Sequence, residues 1–222
     1  MRLSSMRLAA WGWRWSRPPL VGAALFGLLS GCAVNGGAGD TALIAIDAVA
    51  GLAGPSTLQS VALRAGDGTE CATFDFAPGL LATAAHCAST DRFTLSDGRS
   101  ASLLRRGAIE PLIDEVSITE ADVAILLPSE PRRGLRPYRG ALPVGTPLVV
   151  APPSGGAVGC QLVQRRGAAL LMRCRVKPGW SGSPVYTRRV GQWRVVGLLS
   201  GYEEDRNLSW AVHVSAIDAV LQ

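Results

Sequence analysis

The stretch Leu81-Ala82-Thr83-Ala84-Ala85-His86-Cys87 sets a histidine and a cysteine at the end of an apolar, strand-like run. By itself this reads as a core histidine beside a cysteine. Two further segments change its meaning. Ala121-Asp122-Val123-Ala124-Ile125-Leu126 puts a single acid at the head of an apolar strand, where an isolated acid ordinarily faces solvent. Pro178-Gly179-Trp180-Ser181-Gly182-Ser183-Pro184 flanks a serine with glycines, which let the backbone turn sharply and let a ligand approach. Taken alone it is a Gly/Pro/Ser turn. Together the three segments hold what nucleophilic hydrolysis needs: a base that titrates near neutrality, a carboxylate to fix its tautomer and a hydroxyl to activate. A sharp turn here is expected to let the N–H groups of Gly179 and Ser181 converge on one point as an oxyanion hole.

Outward from these segments the chain is a series of short apolar runs broken by Gly, Pro, Asp and Ser. They are Ser60–Arg64, Leu80–Ala84, Phe93–Ser96, Val123–Leu127, Leu148–Ala151, Leu162–Gln164, Leu170–Arg173, Val195–Leu199 and Leu208–Val214. Short runs at close spacing predict an all-β barrel or sandwich. Only the end, Ser215 to Leu221, reads as helix, with Ser215 and Asp218 as a Ser-x-x-Asp capping box. Glu130 to Gly145, rich in Pro, Arg and Gly, reads as a crossover between two β halves of similar size.

In combination the motifs resemble those of the trypsin-like (chymotrypsin-fold) serine proteases. Thr83-Ala84-Ala85-His86-Cys87 matches the histidine motif residue for residue. Asp122-Val123-Ala124-Ile125-Leu126 looks like the Asp-Ile-Ala-Leu-Leu strand, and Gly179-Trp180-Ser181-Gly182-Ser183-Pro184 looks like the Gly-Asp-Ser-Gly-Gly-Pro loop. The loop is closer still to the Gly-Asn-Ser-Gly-Ser-Pro of bacterial glutamyl endopeptidases. The order His, Asp, Ser is that of this family and not of α/β-hydrolases or subtilisins. The resemblance spans roughly residues 55–215. It implies an all-β fold of two six-stranded antiparallel barrels, at about 55–130 and 141–215, closed by a short helix at 216–222. It further implies catalytic His86, Asp122 and Ser181 in the cleft, an oxyanion hole at Gly179 and Ser181, and Ser200-Gly201-Tyr202 as the edge that pairs with substrate main chain.

The chain also departs from the family. Trp180 replaces the acid that trypsin uses to bury a new N-terminus, so activation by that salt bridge is excluded. Core packing, or a wall of the specificity pocket, is the expected use of Trp180. Only Arg175 to Trp180 separate Cys174 from Ser181, so the base of the pocket cannot be aligned. His213 precedes the closing helix and reads as structural.

Of 222 residues 48% are hydrophobic and 18% charged, which excludes a disordered chain. The formal charge is +5. Arg2, Arg7, Arg14 and Arg17 fall in residues 1–31, which hold no acid, so the remainder carries 18 basic against 17 acidic residues. That +1 balance leaves no basic patch for nucleic acid. Residues 1–31 read as a secretory signal, its apolar run from Leu20 too short to span a bilayer. Leu29-Ser30-Gly31-Cys32 resembles the bacterial lipobox, which implies acylation of Cys32 and a bilayer as partner. An ordinary cleaved signal with an incidental cysteine is the competing reading. Ala33, in place of the Asp that retains lipoproteins at the inner membrane, points to the periplasmic face of the outer membrane in a Gram-negative envelope. Residues 32–54 read as the lipidated N-terminus and tether, with Thr41 to Leu52 as a short apolar helix. Cys71, Cys87, Cys160 and Cys174 remain, an even number in an exported chain. Three pairings are open; local pairing, Cys71 with Cys87 and Cys160 with Cys174, is the most economical. Cys160 and Cys174 flank a hairpin tip centred on Gly167, and Cys71 precedes Cys87 by 16 residues, as in the family disulfide at the histidine loop. The spacings hold no Cys-x-x-Cys, so no zinc site is expected, and no cofactor is implied.

The function expected is a lipid-anchored serine endopeptidase acting on exported or surface polypeptides through an acyl-enzyme. The competing classes are a non-catalytic lipoprotein using the fold as a peptide-binding or scaffold module, and an esterase or acyltransferase on the same machinery.

Overall fold

Twelve strands pair into two closed antiparallel barrels in a computed structural model that describes residues 60–107 and 120–222. The signal segment, Cys32, the tether and the helix expected at Thr41 to Leu52 lie outside the described residues. The first barrel is built from β1 (Val61–Ala65), β2 (Glu70–Ala77), β3 (Leu80–Thr83), β4 (Arg92–Leu95), β5 (Ser100–Arg106) and β6 (Ala124–Pro128), in the order β1-β2-β3-β6-β5-β4. The second is built from β7 (Pro147–Val150), β8 (Val158–Arg166), β9 (Ala169–Arg173), β10 (Pro184–Arg189), β11 (Gln192–Glu203) and β12 (Leu208–His213), in the order β10-β11-β12-β9-β8-β7. Helix α1 (Val214–Leu221) closes the chain. The connection from β6 to β7 carries no strand, as its composition predicts. This is the chymotrypsin-like fold.

The burial pattern explains why the second-barrel strands read as near-continuous apolar runs. In β11, Val196 and Leu199 point into the second barrel's core, while Val195 and Leu198 join the cluster that runs through the first barrel. The same division holds for Val150 and Val149 in β7 and for Ala211 and Val212 in β12. A strand buried on both faces loses polar alternation. Three strands have no counterpart among the apolar runs. In β5, Ser102, Leu104, Arg105 and Arg106 face solvent. The β10 strand starts on Pro184 directly after the serine loop, and β2 interrupts its apolar residues with Asp75.

Each barrel carries its own disulfide. Cys71 on β2 bonds Cys87, with Cα atoms 6.1 Å apart, and Cys160 on β8 bonds Cys174, with Cα atoms 4.8 Å apart. Cys160 and Cys174 lie one residue outside the paired Gln161 and Arg173, across a hairpin whose tip is Gly167-Ala168. Helix α1 differs from expectation at its start. It begins at Val214, and its cap is His213, whose Nδ1 accepts the Ser215 N–H at 3.2 Å. Ser215 is thus already inside the helix, and Asp218 is engaged elsewhere, in a two-pronged ion pair with Arg139 at 2.6 and 2.7 Å.

One cation organises the far side of the first barrel. Arg99, 4% exposed, donates from Nη1 and Nη2 to Asp75 at 2.8 and 3.0 Å and from Nε to Asp97 at 2.9 Å. Its Nη1 also reaches the Glu130 carbonyl at 3.3 Å. It therefore ties β2 to the β4–β5 turn and to the start of the crossover. Removing one partner strands buried charge, which costs about 3–5 kcal/mol. Arg99→Met is expected to lower unfolding stability by that amount in urea titration, and Arg99→Lys to recover little, because an ammonium cannot fork to both carboxylates.

Candidate active site

Three segments that are remote in sequence meet between the barrels. β3 ends in a 3-10 turn, Ala85–Cys87, pinned by the Cys71–Cys87 bond, and that turn presents His86. The segment entering β6 presents Asp122. The His86 backbone N–H donates to Asp122 Oδ1 at 3.0 Å, and Nδ1 lies 3.0 and 2.9 Å from Oδ1 and Oδ2. Asp122 is 3% exposed, so its carboxylate depends on these donors rather than on water. The His86 side chain keeps 44% of its surface open. Burial pulls the His86 pKa down; the hydrogen bond and the charge of Asp122 outweigh it and hold the ring above its ordinary 6.5.

Ser181 comes from the second barrel. The loop before β10 is gripped by both barrels: the Ala72 N–H donates to the Ser181 carbonyl at 2.7 Å, and the Gly182 N–H donates to the Leu199 carbonyl at 2.7 Å. Gly182 has φ +85°, and a Cβ there would lie 2.0 Å from the Ala72 carbonyl oxygen. No other residue fits this approach. The Trp180 and Ser183 N–H groups close turns onto Lys177 and Trp180 carbonyls, at 3.3 and 2.9 Å. The N–H groups of Gly179 and Ser181 make no hydrogen bond among the described residues. Two unpartnered donors beside one hydroxyl are suited to an oxyanion. The Ser181 hydroxyl donates to the Ser200 carbonyl at 3.2 Å, and no hydrogen bond joins it to His86 among the described residues.

Ser200 does more than the sequence suggested. Its hydroxyl donates to Asp122 Oδ2 at 2.5 Å while its carbonyl accepts from Ser181. One residue therefore touches both the acid and the serine. It sits in a bulge of β11, between Leu199, paired with Ala211, and Gly201, paired with Trp210. No local pattern in Leu199-Ser200-Gly201 announces a partner at Asp122; only the topology does. The β10 ladder ends at Pro184 with Leu198, so among the described residues Gly201 and Tyr202 pair with β12 alone and no strand covers their other edge.

Trp180 is half-buried and packs on the second-barrel core, and its ring lies 6.0 Å from Lys177 Nζ. It also lines a cavity of about 570 Å³ on the β1–β2–β4 side, with Cys71, Pro178 and Gly179. A second cavity, about 320 Å³, is lined by Val176, Lys177, Tyr202 and Leu208. Cys71, Cys87 and His86 offer donor atoms within 4.8 Å of one another, but the disulfide occupies both sulfurs and leaves no metal-binding thiolate.

No protein-family model and no curated protein matches the chain. Solved structures do. The Rv3671c protease of M. tuberculosis in its inactive form aligns with a TM-score of 0.56 at 20% identity, over 81% of this chain and 93% of that one. Its active form aligns with a TM-score of 0.54 at 18% identity, over 89% and 93%. The serine protease of a human pathogenic astrovirus aligns with a TM-score of 0.51 at 19% identity, over 72% and 90%. At these identities the likeness is one of fold, and the fold is that of the chymotrypsin-like serine proteases.

The second histidine stands apart from this constellation. His213 is 1% exposed and its Nδ1 faces Ser215, with the hydroxyl at 2.9 Å. Nε2 is buried with no partner among the described residues. Burial, then the nearby Arg165, push its pKa down to about 4. The folded state therefore holds it neutral where an unfolded chain protonates it, and its contribution is lost as pH falls from about 6.5 toward 4. The loss amounts to about 3 kcal/mol across that window. His213→Asn, which keeps a cap acceptor, is expected to flatten the acid limb of urea-derived stability by up to one proton, whatever its effect at pH 7.

Proposed function

We propose that this protein is a serine endopeptidase in which Ser181 is the nucleophile, His86 the general base and Asp122 the group that orients His86. The observation that carries the reading is the buried Asp122 carboxylate held on His86 Nδ1 and joined through Ser200 to Ser181, whose own N–H and that of Gly179 make no hydrogen bond among the described residues. On substrate binding the Ser181 hydroxyl leaves the Ser200 carbonyl for His86 Nε2. Its oxygen attacks the scissile carbonyl carbon as the proton passes to His86. The tetrahedral oxyanion is held by the Gly179 and Ser181 N–H groups, each such donor being worth about 3 kcal/mol. Collapse breaks the C–N bond, and His86 gives its proton to the leaving amine. Water then hydrolyses the acyl-serine by the same proton path in reverse. Substrate main chain adds to the open edge at Ser200, Gly201 and Tyr202.

The substrate class proposed is exported or surface polypeptide, because residues 1–31 carry the arginines and short apolar run of a secretory signal. We propose acylation at Cys32 and anchoring by that lipid, at the periplasmic face of the outer membrane if the envelope is Gram-negative. Cys32→Ala is expected to move the protein from the membrane to the soluble fraction.

The contact of the Ser181 hydroxyl with the Ser200 carbonyl favours one other reading, a peptide-binding module with an idle site. Treating the full chain with a fluorophosphonate separates the two. Label on Ser181, lost in Ser181→Ala and His86→Ala, is expected of the endopeptidase; a folded chain that takes no label is the binding module. His86 must be neutral to accept the proton, so kcat/KM is expected to fall as pH drops through an apparent pKa above 6.5. Asp122→Asn is expected to cut kcat by about 10⁴-fold.

A further inference from the structure

We propose that Glu120 is a positioning residue for the His86–Asp122 pair, acting by clasping the tip of the β8–β9 hairpin and so fixing the segment that carries Asp122. The clasp crosses from one barrel to the other. Glu120 Oε1 accepts the Ala168 N–H at 2.6 Å. Gly167, with φ +54°, makes room for it: a Cβ there would lie 2.0 Å from the same carboxylate oxygen. A glycine at this hairpin tip therefore serves the approach of the acid as well as the turn.

The tip that Glu120 holds is itself fixed. The Ala168 carbonyl accepts the His213 N–H at 2.7 Å, and the Gly167 carbonyl accepts Arg165 Nε at 3.0 Å. At its other end the Asp122 segment is tied to the first barrel. The Gly107 N–H donates to the Val123 carbonyl, and the Val123 N–H to the Ala121 carbonyl, both at 2.8 Å. Asp122 thus sits on a short span held by the second barrel at Glu120 and by the first at Val123. Its carboxylate must meet His86 from one barrel and Ser200 from the other. Releasing the Glu120 end lets the span drift toward the first barrel and loosens that shared geometry. A misplacement of about 1 Å at a catalytic group costs on the order of 10²-fold in rate.

The consequence for rate rests on the endopeptidase reading; the coupling of Glu120 to His86 does not. The test therefore has two readouts on the full-length chain in detergent. The first is NMR titration of the two histidines, labelled with ¹³C, which are the only two in the sequence. The second is peptidase kinetics. In Glu120→Ala the His86 titration is expected to fall toward 6.5. The value of kcat is expected to drop about 10- to 100-fold with KM within about twofold. Glu120→Gln, which keeps an oxygen for the Ala168 N–H, is expected to restore both. Gly167→Ala, which sets a methyl where the carboxylate lies, is expected to reproduce the Glu120→Ala shift and serves if that variant does not fold. The proposal is overturned if folded Glu120→Ala leaves His86 unmoved, if Glu120→Gln is as impaired as Glu120→Ala, or if folded Gly167→Ala leaves His86 unmoved. A wild-type chain inert to peptides and fluorophosphonate would remove the endopeptidase reading and leave the histidine titration to decide the coupling.

Discussion

A single carboxylate taken out of water sets the terms for the cleft. Asp122 is almost wholly enclosed, and an enclosed charge is tolerated only where donors replace its lost hydration. The donors come from two directions: the backbone and ring of His86 from the first barrel, and the hydroxyl of Ser200 from the second. The carboxylate is therefore satisfied only when the barrels are correctly docked. The same contacts that settle the charge aim the imidazole and bring the Ser200 carbonyl to Ser181. Docking and site assembly are one event because they share one acceptor.

The two histidines show how far surroundings, rather than residue type, decide chemistry. His86 is partly open to solvent and lies against an anion, whose hydrogen bond and charge outweigh burial and raise its pKa above the ordinary 6.5. His213 is shut away, and burial, reinforced by the charge of Arg165, holds it neutral. One is suited to exchanging protons near neutral pH. The other spends its single acceptor on the first turn of a helix.

The motifs made the fold readable because they are short, local and chemically demanding. At Gly182 the backbone passes so close to Ala72 that no side chain fits. The division into two β halves followed from the Pro-, Arg- and Gly-rich crossover, their closure into barrels from the family resemblance, and the Cys160–Cys174 bond from the hairpin it straddles. What escaped the sequence was whatever depends on pairing at long range. Strands β5 and β10 wear their polar faces outward or begin on a proline, so their periodicity is masked. Arg99 reads as one of many surface arginines until Asp75 and Asp97 close on it. The Ser215–Asp218 pattern suggested a cap, but His213, already turned inward by β12, reached the Ser215 N–H first. The Ser200–Asp122 contact and the role of Glu120 gave no signal, since each finds its meaning in a residue on the opposite barrel; Ser200 was legible only as part of the substrate edge.

The disulfides have a further implication. Each closes a loop inside one barrel, with sequence separations of 16 and 14, and neither crosses the cleft. His86 and Asp122 belong to one half and Ser181 to the other, joined covalently by the crossover alone. In thermodynamic terms the chain is a tethered heterodimer, its two halves kept at high effective concentration by that connection. A cut within the crossover would leave two stapled fragments, each without a complete set of groups, and the site would then exist only as a concentration-dependent complex between them.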